Sequence, residues 1–399
     1  MQKKMNLLFV GTVRGADPPN RINALIKMGY DVSILNIDRE FFSYNTIKEL
    51  TGLKSVTNLF YEKKLYSAMK SKMAEAAKML LSTFHLYENK EVKAKVKEVI
   101  LKNKINMVYC HWGVTVVPLI ALIKNEFPNL PVIHEILTYP SSVNPLEIAF
   151  QNFFYGRVVK KIDGRIHCSR RMYDYLNSRF NLKQRGKDLI QPLYFNRRYF
   201  YKKRLPALSE KDNVPHIIFI GIGRENFSKK RPSDDIRKKI QEITKLQIHF
   251  WISSKNKNIE ESDYVHFYPW LNSFEVANGS MATFMTQFDA CIYLHNLKKN
   301  YAMYENSLQT RFRFALTAGI PIVMPIGYYG ACQDIVEKYK IGFAYKDVGE
   351  LKAKLSDREL MAEYRKNAVR ASPEFTFENN FEKLDKFVKE IIYPESHAV

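Results

Sequence analysis

The chain has 399 residues, 46% apolar and 13% aromatic, which suits two or three packed domains and argues against a disordered polypeptide. Its four cysteines, Cys110, Cys168, Cys291 and Cys332, lie far apart with no CxxC, a pattern of buried thiols rather than of a disulfide framework or a thiolate zinc site. The formal net charge is +21, and it is uneven: residues 1–200 hold 32 Lys+Arg against 16 Asp+Glu, residues 201–399 hold 30 against 25.

Met5–Val10 is too short for a signal core and runs into Gly-Thr as a first strand would. No apolar run approaches the roughly 20 residues of a membrane span. A cytoplasmic chain is expected, soluble or peripheral on the inner face of a membrane.

Two series of alternating strands and helices follow. The first has strands at Asn6–Val10, Asp31–Asn36, Met107–Cys110, Val132–Ile136 and Arg165–Cys168, with helical stretches such as Arg21–Met28 and Ser141–Lys161. The second has strands at His216–Ile220, Gln247–Ile252, Val265–Tyr268, Ala290–His295, Pro321–Met324 and Gly342–Tyr345. Each series predicts a doubly wound parallel sheet. Residues 201–214, polar, basic and interrupted by Pro206, read as a linker between domains at 1–200 and 215–374. A last amphipathic helix is expected over 375–392.

Chemistry concentrates where strands end and helices begin, the edge at which open parallel sheets bind ligands. Gly11-Thr-Val-Arg-Gly-Ala-Asp-Pro-Pro-Asn-Arg21 leaves the first strand; Gly11 and Gly15 permit close approach of backbone to a ligand, without the spacing of a dinucleotide fingerprint. Tyr109-Cys-His-Trp-Gly113 puts His111 at the sheet edge, as a hydrogen-bonding or acid–base residue or a packed structural one. In Val132-Ile-His-Glu-Ile136, alternation sends His134 and Glu135 to opposite faces. Glu135 is a candidate general base, or else a capping residue.

Gly221-Ile-Gly-Arg-Glu-Asn-Phe-Ser-Lys-Lys-Arg231 brings Gly223, Arg224, Lys229 and Lys230 to a loop suited to a diphosphate. The other reading is a solvated basic loop. Tyr268 closes the third strand of the second series. The loop over 296–310, with Glu305, Asn306 and Ser307, feeds a helix carrying Arg311 at its start, a phosphate-binding arrangement. Gly319 should end that helix, with Pro321 blocking its continuation.

The stretch Phe288-Asp-Ala-Cys-Ile-Tyr293, Arg311 and Ala318-Gly-Ile-Pro-Ile-Val323 resembles the signature of GT-B glycosyltransferases, notably the large retaining branch that uses nucleotide-sugars. Asp334–Glu337, Ile341–Phe343 and Leu360–Ala368 resemble that family's tail. The resemblance is strongest over 280–370. It implies two Rossmann-like domains with an interdomain cleft, the first acceptor-side and the second donor-binding, and a terminal helix over 375–399 crossing back to the first. It also implies catalytic roles for Glu135 and His111, with Glu135 the base of an inverting transfer or else a residue that positions the acceptor. Donor contacts would fall to Gly11, Gly15, Gly223, Arg224, Lys229, Lys230, Tyr268, Glu305, Asn306, Ser307 and Arg311. One departure is Phe314, where many members carry a carboxylate that helps hold the donor.

The expected activity is metal-independent transfer of a sugar from a nucleotide-sugar to a carbohydrate or lipid-linked saccharide, in surface polysaccharide or glycolipid assembly. No cofactor is expected, and neither metal-ligand spacing nor an isolated Asp-x-Asp is present. The excess charge of the first half, with aromatic–lysine segments at 59–74 and 150–161, suits an anionic membrane surface. Alternatives are a basic adaptor with a degenerate GT-B fold and a nucleotide-sugar epimerase. Nucleic-acid binding rests on charge alone and lacks a recognition module.

Overall fold

The central strands are buried on both faces because helices cover both sides of a parallel sheet. In the first sheet these are β1 (Asn6–Gly11), β4 (Met107–His111), β5 (Val132–Ile136) and β6 (Gly164–His167), almost wholly buried. β2 (Asp31–Asn36), β3 (Leu53–Asn58) and β7 (Lys187–Ile190) complete it. The computed structural model describes residues 5–11, 17–37, 52–59, 90–111, 116–184, 186–192, 194–221, 233, 235–253, 259–269 and 273–393.

The first sheet has the order β3-β2-β1-β4-β5-β6-β7. β1 pairs in parallel with both β2 and β4, so the winding reverses between β1 and β4. The second sheet is built from β8 (His216–Ile218), β9 (His249–Ser253), β10 (Val265–Tyr268), β11 (Ala290–Ile292), β12 (Ile322–Pro325) and β13 (Gly342–Tyr345). Its order, β10-β9-β8-β11-β12-β13, reverses between β8 and β11. Crevices outside the carboxyl ends of strands at such reversals are where doubly wound sheets take ligands.

The chain divides into two units, one of Met1–Leu193 with Phe381–Val399 and one of Tyr194–Asn380. The first has a core that includes Leu8, Val10, Val108, Val132, Ile136 and Met172. The second is centred on Ile217, Phe250, Ile292, Val323 and Leu351. All four cysteines are free and buried. Among the described residues no helix is long and apolar enough to cross a membrane.

Local chemistry sets the helix ends. The helix Pro145–Val158 starts with Asn144 accepting from the Leu146 amide at 2.9 Å and with proline in the first turn. The helix Thr310–Ala318 ends at Gly319, whose φ of 60° is left-handed, as its sequence predicts.

Some elements differ from the sequence reading. β3 and β7 were not expected. The helix expected over 141–161 begins at Pro145 and tightens into a 3-10 turn at Val159–Lys161. The terminal helix expected over 375–392 begins only at Phe381, because Thr376 forms a parallel bridge with Phe195 and Phe377 donates its amide to the Phe195 carbonyl at 2.9 Å. Residues 201–214 are tied to the second unit by hydrogen bonds from the Tyr201 amide to the Thr317 carbonyl (3.1 Å), Lys202 to Thr283 Oγ1 (3.0 Å) and Leu205 to Thr286 Oγ1 (2.9 Å).

Candidate functional site

At the reversal of the first sheet, β1 ends at Gly11 and β4 at His111. A Cβ on Gly11 would stand 2.9 Å from the His111 carbonyl oxygen. Glycine therefore lets the two strand ends close on one another. His111 and Glu135 lie side by side in register on β4 and β5, and parallel pairing points both side chains to one face.

The Glu135 carboxylate is fully buried and fully engaged. Its Oε2 accepts from Tyr109 Oη at 2.9 Å and from Arg21 Nε at 3.2 Å, and lies 2.7 Å from His111 Nδ1. Its Oε1 accepts from Arg21 Nη2. Arg21, from the helix Asp17–Lys27, is itself only 1% exposed. Burial alone would raise the Glu135 pKa, but the Arg21 guanidinium and then His111 outweigh it and hold the carboxyl well below the usual range.

With Nδ1 directed at a carboxylate, His111 turns Nε2 elsewhere. That atom is buried and has no hydrogen-bond partner among the described residues. The Glu135 carboxylate can only accept here, so Nδ1 donates to it, and in the neutral imidazole of that tautomer Nε2 presents a lone pair. Tyr109 and Arg21 were not singled out by the sequence, and Arg21 had no local signal because it meets Glu135 across 114 positions. Gly15 lies outside the described residues.

At the reversal of the second sheet, Arg311 starts the helix Thr310–Ala318 and folds back over the end of β8. Its Nε donates to the Ile220 carbonyl, and its guanidinium carbon stands 4.2 Å from the Phe219 ring centroid. A Cβ on Gly221 would come 3.1 Å from Arg311 Nη2, so glycine makes room for the guanidinium against the backbone. Arg311 Nη1 reaches Gln309 Oε1 at 3.5 Å. Among the described residues no carboxylate pairs with this cation. Its field is felt nearby: desolvation first, then the Arg311 charge, hold His295 well below its ordinary pKa. His295 Nδ1 lies 2.8 Å from Tyr329 Oη.

Among the other residues expected to contact a donor, Tyr268 and Glu305 have protein partners. Tyr268 is buried and donates its hydroxyl to the Phe219 carbonyl at 3.1 Å. Glu305 accepts from the Gly330 amide at 3.2 Å, at the first residue of the helix Gly330–Tyr339, and from Asn300 Nδ2 at 2.9 Å. Asn306 and Ser307 are buried, and the Ser307 carbonyl faces Cys332 Sγ at 3.7 Å. Phe314 packs its ring 5.3 Å from that of Phe195. Gly223, Arg224, Lys229 and Lys230 lie outside the described residues.

No protein-family model matches the chain, and no curated protein matches it. Solved structures do. Sucrose-phosphate synthase from Thermosynechococcus elongatus is 11% identical, with a TM-score of 0.66 over 98% of this chain and 100% of that one. A glycosyltransferase from Rickettsia africae is 13% identical, with a TM-score of 0.63 over 98% and 99%. Anabaena HepE, solved in complex with UDP, is 11% identical, with a TM-score of 0.61 over 96% and 99%. At these identities the likeness is one of fold. With its two parallel sheets, each reversed next to its first strand, the chain has the GT-B fold of the glycosyltransferases.

Proposed function

We propose that this protein is a glycosyltransferase that moves a sugar from a nucleotide-sugar to a hydroxyl of a carbohydrate or lipid-linked saccharide. The observation that carries the reading is Arg311. It is a cation at a helix N-terminus, at the carboxyl edge and winding reversal of the second sheet, with no carboxylate partner among the described residues. A diphosphate supplies the missing negative charge. The complexes of HepE with UDP and UDP-glucose support a nucleoside diphosphate as that group.

In the proposed transfer, the acceptor oxygen bonds to the anomeric carbon as the bond from that carbon to the diphosphate oxygen breaks. The nucleoside diphosphate leaves with the electron pair. Arg311 stabilises the charge that develops on it, so no metal is required for this step. On the acceptor side, His111 Nε2 takes the hydroxyl proton. Glu135, held ionised by Arg21, keeps His111 in the tautomer that can accept it. Glu135 is thus a positioning residue rather than the base. The same fold serves epimerisation and adaptor functions. An epimerase would need further acid–base groups beside His111; an adaptor would bind donor without turning it over.

Arg311→Ala should weaken UDP binding by about 1.5–3 kcal/mol, or roughly 10- to 150-fold, the range for hydrogen bonds to a charged group. Isothermal titration with UDP and a circular-dichroism check of folding measure this. Unchanged affinity in a folded variant rejects the assignment.

We also place an anionic membrane surface among the partners of the first unit. On the helix Pro145–Val158, Leu146 (63% exposed) and Phe153 (50% exposed) share a stripe that ends in Arg157, Lys160 and Lys161. Arg157 lies 3.9 Å over the Phe153 ring. Apolar side chains beside cations suit the headgroup boundary of anionic lipid. At about 1 kcal/mol per cation, charge reversal at these three basic positions should weaken binding to phosphatidylserine vesicles roughly hundredfold or more at low salt. Co-sedimentation across a salt series tests this; equal binding to neutral vesicles rejects it. The other expected segment, 59–74, lies outside the described residues beyond Leu59.

A further inference from the structure

At the amino edge of the second sheet, away from Arg311, four titratable side chains converge. Asp212 ends the short helix Ser209–Asp212, His216 opens β8, His249 opens β9 and His266 lies in β10. Asp212 Oδ2 is 2.9 Å from His216 Nε2 and 3.3 Å from His249 Nε2. One donor atom from each of these three residues lies within 4.8 Å of the others. The His216 and His249 rings stack at 4.2 Å. His249 Nδ1 lies 2.7 Å from His266 Nε2.

We propose that Asp212, His216 and His249 form a site for a borderline divalent transition metal, Zn²⁺ being the natural probe. Donors around a tetrahedral zinc, each about 2.0–2.2 Å from the metal, stand about 3.3 Å apart. The 3.3 Å between the Asp212 oxygen and His249 Nε2 matches that spacing, and the 2.9 Å hydrogen bond to His216 Nε2 would lengthen to it on metal binding. Two imidazole nitrogens and one carboxylate oxygen are a zinc, nickel or copper donor set rather than one for magnesium or calcium. Asp212 is 39% exposed, so the fourth position opens to water. His249 has the outer partner that ligating histidines need: in the tautomer with the proton on Nδ1, it donates to His266 Nε2, 2.7 Å away, and leaves Nε2 free for the metal.

His216 has the opposite kind of neighbour. Trp251 Nε1, which can only donate, bonds His216 Nδ1 at 3.1 Å. His216 Nε2 therefore carries the proton that it gives to Asp212. Binding a metal at Nε2 moves the His216 proton to Nδ1 and breaks the Trp251 bond. Trp251 thus opposes metal binding and reports it. The site would tie β8, β9 and the helix before them together, a stabilising role separate from transfer of a sugar. None of the familiar metal spacings applies, because the ligands come from three segments; the sequence accordingly gives no metal motif.

The test uses the whole untagged chain, stripped with chelator and dialysed. Titration with Zn²⁺ should show one site, raise the melting temperature and change tryptophan fluorescence, while Mg²⁺ does none of these. His249→Ala and Asp212→Asn should abolish the Zn²⁺-dependent rise in melting temperature. His266→Ala should weaken binding about 10- to 100-fold, as loss of an outer partner does. Trp251→Phe should tighten it, a result that mere loss of packing would not give. Absence of Zn²⁺ binding, or binding that survives both ligand substitutions and is indifferent to Trp251→Phe, overturns the proposal.

Discussion

Replacing Arg21 with methionine should cost the first unit about 3–5 kcal/mol, the loss expected when one member of a buried ion pair is removed. Methionine fills much of the space, so the loss would come from the charge left behind. Arg21 and Glu135 are 1% and 0% exposed. The pH dependence distinguishes this from a packing defect. In the native chain Glu135 is held below its unfolded pKa. Its contribution is therefore fully present above about pH 5, and declines as the pH falls through and below the unfolded value of about 4.3. Without Arg21, burial dominates and Glu135 takes up a proton at higher pH in the folded state. The deficit of the variant should then be largest at neutral pH and shrink as the pH is lowered. Urea unfolding at pH 7.5 and 5 measures it. A loss below about 1 kcal/mol, or a deficit that does not change with pH, would mean that the ion pair contributes little.

Replacing His111 with alanine should lower turnover by about 10²- to 10⁴-fold, the range for removal of a general base, while UDP affinity at Arg311 stays unchanged. The reason is the division of labour in the first unit. Glu135 has Arg21, Tyr109 and His111 around its two oxygens. A carboxylate so engaged is a poor proton acceptor, and the lone pair on offer is His111 Nε2. Single-turnover rates with a UDP-sugar panel, plus titration with UDP, separate the two effects. A drop of less than tenfold would remove His111 as the base. It would leave it a hydroxyl contact and favour retention of configuration at the anomeric carbon.

Much of the architecture was legible along the chain, and the physical reason is burial. Leu7–Val10 and Met107–Cys110 are apolar runs because both faces of their sheet are covered. The Arg311 helix announced its end by Gly319 and Pro321. β3 and β7 stayed hidden because they are edge strands with polar or charged residues. Lys187-Asp-Leu-Ile190 becomes intelligible as a strand once Asp188 is seen bonding Arg165 Nε at 2.8 Å and His167 Nε2 at 2.7 Å on the neighbouring strand.

The sequence by itself determined which residues reach the carboxyl edges: His111, Glu135 and Arg311 each stand at or next to the end of a strand or the start of a helix, a local property. Only the tertiary structure decided what they do there. Glu135 is ionised and engaged because Arg21, 114 positions away, is packed against it. Tyr268 and Glu305, read as donor contacts, hold the Phe219 carbonyl and the Gly330 amide. Asp212, His216 and His249 meet because parallel pairing sets the starts of β8 and β9 side by side. A side chain's identity and its place on a strand are written locally. Its ionisation and its partners depend on charges and donors brought within about 3 Å by chain segments far apart in sequence.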